Sequence, residues 1–100
     1  MLNPKKVPAA LFAVHLILVK ARCLAAEGAD QKTLYKILDW AEILPSLITR
    51  RPGEDTTEEF RQTLAGLGED FPECAGYLTN FDRGVSWDTH AHKATESVSA

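Results

Sequence analysis

The chain has 100 residues, 45% of them hydrophobic and 25% charged, with a net charge of −3. That length and balance fit one soluble globular domain with a single modest core and leave no room for a second. The charge is segregated: up to Pro52 eight Lys/Arg stand against four Asp/Glu, giving +4, and from Gly53 onward three (Arg61, Arg83, Lys93) stand against ten, giving −7. The plain meaning is an acidic second half lying against a more basic first half; the sharper one is an acidic surface for a basic partner.

Met1–Val7 reads as a short polar lead. Pro8 suits the first turn of a helix, where its missing N–H costs nothing, and the pattern predicts a first helix from about Pro8 to Glu27. Ala10, Ala13, Val14, Ile17, Leu18, Ala21, Leu24 and Ala25 make a broad apolar face on a 100° wheel. Phe12, Leu16, Val19 and Cys23 make a second, narrower ridge. His15 with Arg22, and Lys20 with Glu27, separate the two. A helix apolar on two sides is expected to be packed on two sides, by its own chain or by a second copy.

Lys5 and Lys6 before the run Val7–Val19 imitate a secretory signal, with Cys23-Leu24-Ala25 as a cleavage-like site. His15, Lys20, Arg22 and the periodicity continuing through Ala26 argue instead for a core helix and a cytoplasmic protein. The uninterrupted run is also shorter than a bilayer span, so no membrane partner is expected.

Gly28 is a left-handed stop and Asp30 the N-cap of a second helix over about 31–49. Leu34, Ile37, Leu38, Ala41, Leu44 and Ile48 share one of its faces. The short link forces the two helices into an antiparallel hairpin. Trp40, Ile43 and Leu47 form a separate strip, and Pro45 is expected to kink or end the helix. Arg50-Arg51-Pro52-Gly53 breaks into a loop.

Thr56 and Glu59 have capping-box spacing. A third helix over about 57–66 carries Phe60, Leu64 and Leu67, stopping near Gly66 or Gly68. Pro72 opens a fourth over about 72–82, with Cys74, Tyr77, Leu78 and Phe81 on one face. The fold class is therefore all-α: a small helical bundle, residues 1–84, built on a hairpin with two short helices across it. Residues 85–100 read as a flexible polar tail.

Chemistry-bearing residues give little. Cys23 and Cys74 both fall on apolar stripes and read as small buried hydrophobes, with a long-range disulfide as the alternative. Asp88, His90 and His92 make a D-x-H-x-H cluster, but a structural zinc site needs four ligands on an ordered frame, and none is expected here. His15 reads as a core or interface histidine, since no partner identifiable in sequence would orient it as a base. A helix-turn-helix made of the last two helices fails on charge: the fourth offers Glu73, Thr79, Asn80 and Asp82 with only Arg83 as a cation, so no nucleic acid is expected. No catalytic residue, metal or cofactor is assigned.

What remains is shaped apolar surface and segregated charge. The Trp40, Ile43 and Leu47 strip is either buried under the last two helices or an exposed association patch. Glu54, Asp55, Glu58 and Glu59 complement the third helix's N-terminal dipole or form an acidic docking surface. The sequence thus points to a non-enzymatic protein–protein interaction module, in one version a small inhibitor or immunity-type protein that covers a basic site. Its candidate interface is Phe12, Leu16 and Val19 with Trp40, Ile43 and Leu47. A homodimerisation subunit is the alternative, and a small enzyme or metal protein a distant third. Four helices, two of them short, are few to cover both sides of the first, which favours a two-fold homodimer.

Overall fold

The computed structural model describes residues 2–49 and 54–87. The fold is all-α, with no strand among the described residues. A 3-10 turn over Pro4–Lys6 leads into α1 (Val7–Ala26), followed by α2 (Gln31–Thr49), α3 (Thr57–Asp70), a second 3-10 turn over Pro72–Cys74 and α4 (Gly76–Asp82). Helices α1 and α2 form the antiparallel hairpin, α3 packs on α2, and α4 packs on α1 and α3. The body is a slab of 44 × 36 × 18 Å, two helix layers deep.

The hairpin link is set by backbone chemistry. Gly28 takes φ +85°, a region closed to most side chains. Its N–H reaches Ala25 O at 3.1 Å and that of Ala29 reaches Leu24 O at 2.9 Å, so two orphan carbonyls of α1 are satisfied. Two residues on, the Asp30 carboxylate accepts from Thr33 N at 2.8 Å and starts α2. The chain reverses within the four residues 27–30.

The core lies on one side of that hairpin. Ala9, Ala10, Ala13, Ile17 and Ala21 of α1 meet Ile37, Ala41, Leu44 and Ile48 of α2. Phe60, Leu64 and Leu67 of α3 and Phe81 of α4 close it from beneath, with Phe60 and Phe81 ring centroids 4.8 Å apart. Each such large side chain contributes about 1.5–3 kcal/mol when fully buried.

The lead expected to be merely polar helps to hold the fold together. Leu2 is fully buried. Lys6 Nζ donates to the carbonyls of Phe81 at 3.1 Å and Asp82 at 2.8 Å, and lies over the Phe81 ring. It thereby meets the Asp82 carbonyl and adds a second donor to that of Phe81, which also accepts from Gly84 N at 3.0 Å. Pro4–Ala26 as a whole is, by length and composition, long and apolar enough to cross a membrane, which corrects the estimate made from the shorter run. In this fold one side of it packs into the protein's own core.

Pro45 does not end α2, which runs on to Thr49 over the expected span; the proline is exposed, and the Ser46 and Thr49 hydroxyls donate to the carbonyls of Ile43 and Pro45. Two expectations are corrected. Thr56 makes no capping box: its hydroxyl donates to Leu47 O at the end of α2, while the Asp55 carboxylate accepts from Thr57 N at 2.9 Å. Helix α3 does not stop at Gly66 or Gly68 but continues to Asp70. Those glycines are close-approach sites: a Cβ at Gly66 would sit 2.7 Å from Trp40 Cη2, and one at Gly68 would sit 3.2 Å from Ala75 Cα.

Gly66→Ala is therefore expected to destabilise the protein, because an overpacking cost of about 1–3 kcal/mol outweighs a helix-propensity gain of up to about 1 kcal/mol. Gly76→Ala, where the new methyl meets nothing within 4 Å, is expected to raise stability by about 0.4–1 kcal/mol. Thermal denaturation followed by circular dichroism checks both, and equal shifts of the same sign would contradict the close approach at Gly66.

Candidate functional site

On a helix, residues two apart point nearly opposite ways, because each step turns the chain by about 100°. That fixes which side of the hairpin is covered. On α1, Lys20 pairs with Glu73 beside α4 at 3.6 Å, so Leu18 lies on the far side, where it is 48% exposed. On α2, Trp40 packs against Gly66 of α3, so Leu38 lies on the far side and is 37% exposed. Leu11 and Tyr35, one or two turns away from these, are exposed as well. The two helices thus present a shared face, turned away from α3 and α4, with large apolar side chains in its middle. Leu18, Ala25 and Leu38, which the sequence assigns to buried faces, are exposed here because the second layer covers only one side of the slab.

The expected Trp40 strip is divided by the packing. Leu47 is buried, Trp40 is half-buried, and only Ile43 stands out at 46% exposure. The Trp40 indole N–H donates to Asp70 at 2.9 Å, and Lys36 reaches the other oxygen of the same carboxylate at 3.6 Å. Asp70 ends α3, where the helix dipole disfavours an acid. Its two partners on α2 supply the compensation. Trp40 is therefore an internal anchor between α2 and α3 rather than a surface one.

The second ridge of α1 is divided too. Phe12 is buried, Leu16 half-buried, and Val19 and Cys23 are exposed. What covers Phe12 is Trp87, whose ring meets it edge-on at 5.2 Å and lies 5.4 Å from the ring of His15. The chain expected to leave as a tail after Gly84 instead stays on the body through residue 87, and the tail histidines with Asp88 lie outside the described residues. His15 is exposed, on the flank beside Trp87, and is not a core histidine.

The four acids at the start of α3 are exposed, but they are largely engaged. Asp55 caps the helix. Glu58 pairs with Arg61 at 3.0 Å, and Arg61 in turn makes a two-pronged contact with Asp82 at 2.7 and 3.1 Å. Glu54 and Glu59 have interactions of their own. The charge segregation is spent partly inside the molecule: Lys20–Glu73 and Lys36–Asp70 each join a cation of the first half to an acid of the second.

Perturbed titrations follow from these structural contacts. The hydrogen bonds from Thr33 hold the Asp30 carboxyl below its usual range, and those from Thr57 do the same for Asp55. The Arg61 guanidinium lowers Asp82. Burial pushes the Cys74 thiol up, and burial together with Cys74 pushes Tyr77 up to about 12. Cys74 is thus a buried protonated thiol, inert at neutral pH. Cys23, expected to be buried, is exposed because it sits on the uncovered flank of α1; both cysteines are free.

Comparison of the chain with family models, with curated proteins and with solved structures finds no match.

Two consequences are measurable. Asp82 has its folded pKa below its ordinary 3.8, so its stabilising contribution is present above that pH and is lost as pH falls through the folded value. Tyr77 has its folded pKa raised from 10.0 to about 12, so the neutral ring's contribution is present below pH 10 and is lost as pH rises towards 12. Urea denaturation across pH should show both limbs, with Asp82→Asn flattening the acid one and Tyr77→Phe the alkaline one. Trp87→Ala is expected to cost about 1 kcal/mol through its lost ring contacts; an unchanged midpoint would mean that Trp87 does not hold the Phe12 side of α1.

Proposed function

We propose that this chain is a non-enzymatic protein–protein interaction module that binds through the outer face of the α1/α2 hairpin. The observation that carries this is Leu11, Leu18 and Leu38 standing exposed together on one side of two rigid helices. A monomer rarely leaves several large apolar side chains exposed on one face without a use for them. Helices joined by a four-residue link also form a preorganised surface, which lowers the entropy cost of binding. The perturbed acids, in turn, have structural partners: two cap helices and a third is held by Arg61.

The inhibitor version, in which Glu54, Asp55, Glu58 and Glu59 meet a basic site, draws less support. Asp55 and Glu58 would have to release Thr57 and Arg61 to bind anything else.

The test is capture from native lysate with the wild-type chain, a Leu18→Asp/Leu38→Asp variant and an Ile43→Asp variant, each checked for native circular dichroism. Binding is expected to survive Ile43→Asp and to be lost in the double variant. A partner retained by the double variant would overturn the assignment of the face.

A further inference from the structure

We infer that the occupant of the α1/α2 face is a second copy of this chain, docked about a two-fold axis parallel to the helices, so that each α1 lies on the partner's α2. The inference rests on the reading of that face as a binding surface and names what binds there.

Three observations carry it. The first is register. In a two-fold pairing about an axis along the hairpin, residues at equal distance from the link come to equal height. Leu18 and Leu38 each lie ten residues from Gly28, and Leu11 and Pro45 each lie seventeen. The exposed leucines of α1 therefore meet the apolar positions of the partner's α2, namely the partner's Leu38 and the partner's Pro45. A two-fold axis permits no slide along itself, so this register is the one the symmetry imposes.

The second is charge. The polar positions that flank these leucines on α1 are His15 and Arg22, whereas on α2 they include Glu42 and Tyr35. His15 is thirteen residues from Gly28 and Glu42 fourteen, so His15 faces the partner's Glu42. Arg22 is six away and Tyr35 seven, which sets the guanidinium against the partner's Tyr35, a favourable cation–aromatic pair. In the crossed arrangement the surface is complementary to itself, as a two-fold interface requires.

The third is area. Two helices of this length present a face of roughly 28 by 20 Å, or about 550 Å² per copy, which passes the roughly 1,000 Å² total expected of a specific interface. The body is only 18 Å thick, so a second slab laid on the open face converts a two-layer molecule into one whose hairpins are covered on both sides.

Analytical ultracentrifugation at micromolar concentration is expected to give twice the 11.0 kDa chain mass for the wild type and for Ile43→Asp. Leu18→Asp/Leu38→Asp, whose substitutions are at exposed sites, is expected to give a folded monomer. The register is read by disulfide trapping on a Cys23→Ser background, where Cys74 stays buried and protonated. Mixing Leu18→Cys chains with Leu38→Cys chains is expected to give the mixed covalent dimer in preference to either self-linked one. Trapping of Leu18→Cys with itself would overturn the crossed arrangement. A wild-type monomer would overturn the second copy as occupant. If that monomer still loses a lysate partner on Leu18→Asp/Leu38→Asp, the face binds a different protein. If its face is protected from hydrogen exchange only when residues 88–100 are present, the occupant is the chain's own C-terminal segment. Neither of those results is compatible with the inferred pair.

Discussion

The packing of everything else depends on how closely other helices can approach α1. Four of its inward positions, Ala9, Ala10, Ala13 and Ala21, are alanines buried to within a few per cent, with Ile17 as the large side chain between them. Small side chains let neighbouring backbones come near the short end of the usual 8–10 Å interaxial range. Two helices can then use α1 at once: α2 along its length, and α4 across the flank marked by Lys6 and Lys20. A larger residue at any of these alanines would push one neighbour away and open the core beneath Phe60 and Phe81. Close approach is answered from the other side in the same way, by the glycine of α3 over which the Trp40 ring lies.

Because the chain is short, its helix ends carry an unusual share of the organisation. The carbonyls that finish α2 are met by Thr56 and by the N–H of Leu2, and those that finish α4 are met by Lys6. Each contact joins segments distant in sequence, so the orphan groups that every helix leaves at its ends become the points at which the layers are fastened. This is a use of polar groups that hydrophobic patterning does not reveal. The surface ion pairs add little stability individually; what Lys20–Glu73 and Lys36–Asp70 supply is agreement in sign between the halves that are brought together.

The helices and their hairpin were legible because they rest on local signals: the periodic face of α2, the left-handed Gly28 and the Asp30 cap all act within a few residues. The errors arose where a tertiary contact took over a residue with a local meaning. Thr56 has the spacing of a capping box but reaches back to α2. Gly66 and Gly68 have the look of helix stops, yet their missing side chains admit Trp40 and Ala75. Trp40 and Leu47 share a strip with Ile43 on the wheel, and only the position of α3 decides that two turn inward and one does not. The candidate site suffered most. A wheel finds apolar residues, but it does not say which of two apolar sides a second layer will cover, and on α1 that layer left Leu11 and Leu18 outside.

The two sides of α1 differ in the kind of residue they carry, and that difference bears on what each is for. The covered side is built of alanines, suited to a permanent close contact formed once during folding. The open side carries leucines at positions 11 and 18 with His15 and Arg22 between and beyond them. Leucines spaced a helical repeat apart, with a histidine between them and an arginine just beyond, are poor filling for a monomer core, since burial of an unpaired arginine costs several kcal/mol. They suit a contact whose apolar centre is dry and whose charged positions find partners at the rim. An unselected surface would scatter its apolar residues singly among charges. Here Leu18 and Leu38 stand one on each helix at matching distances from the link.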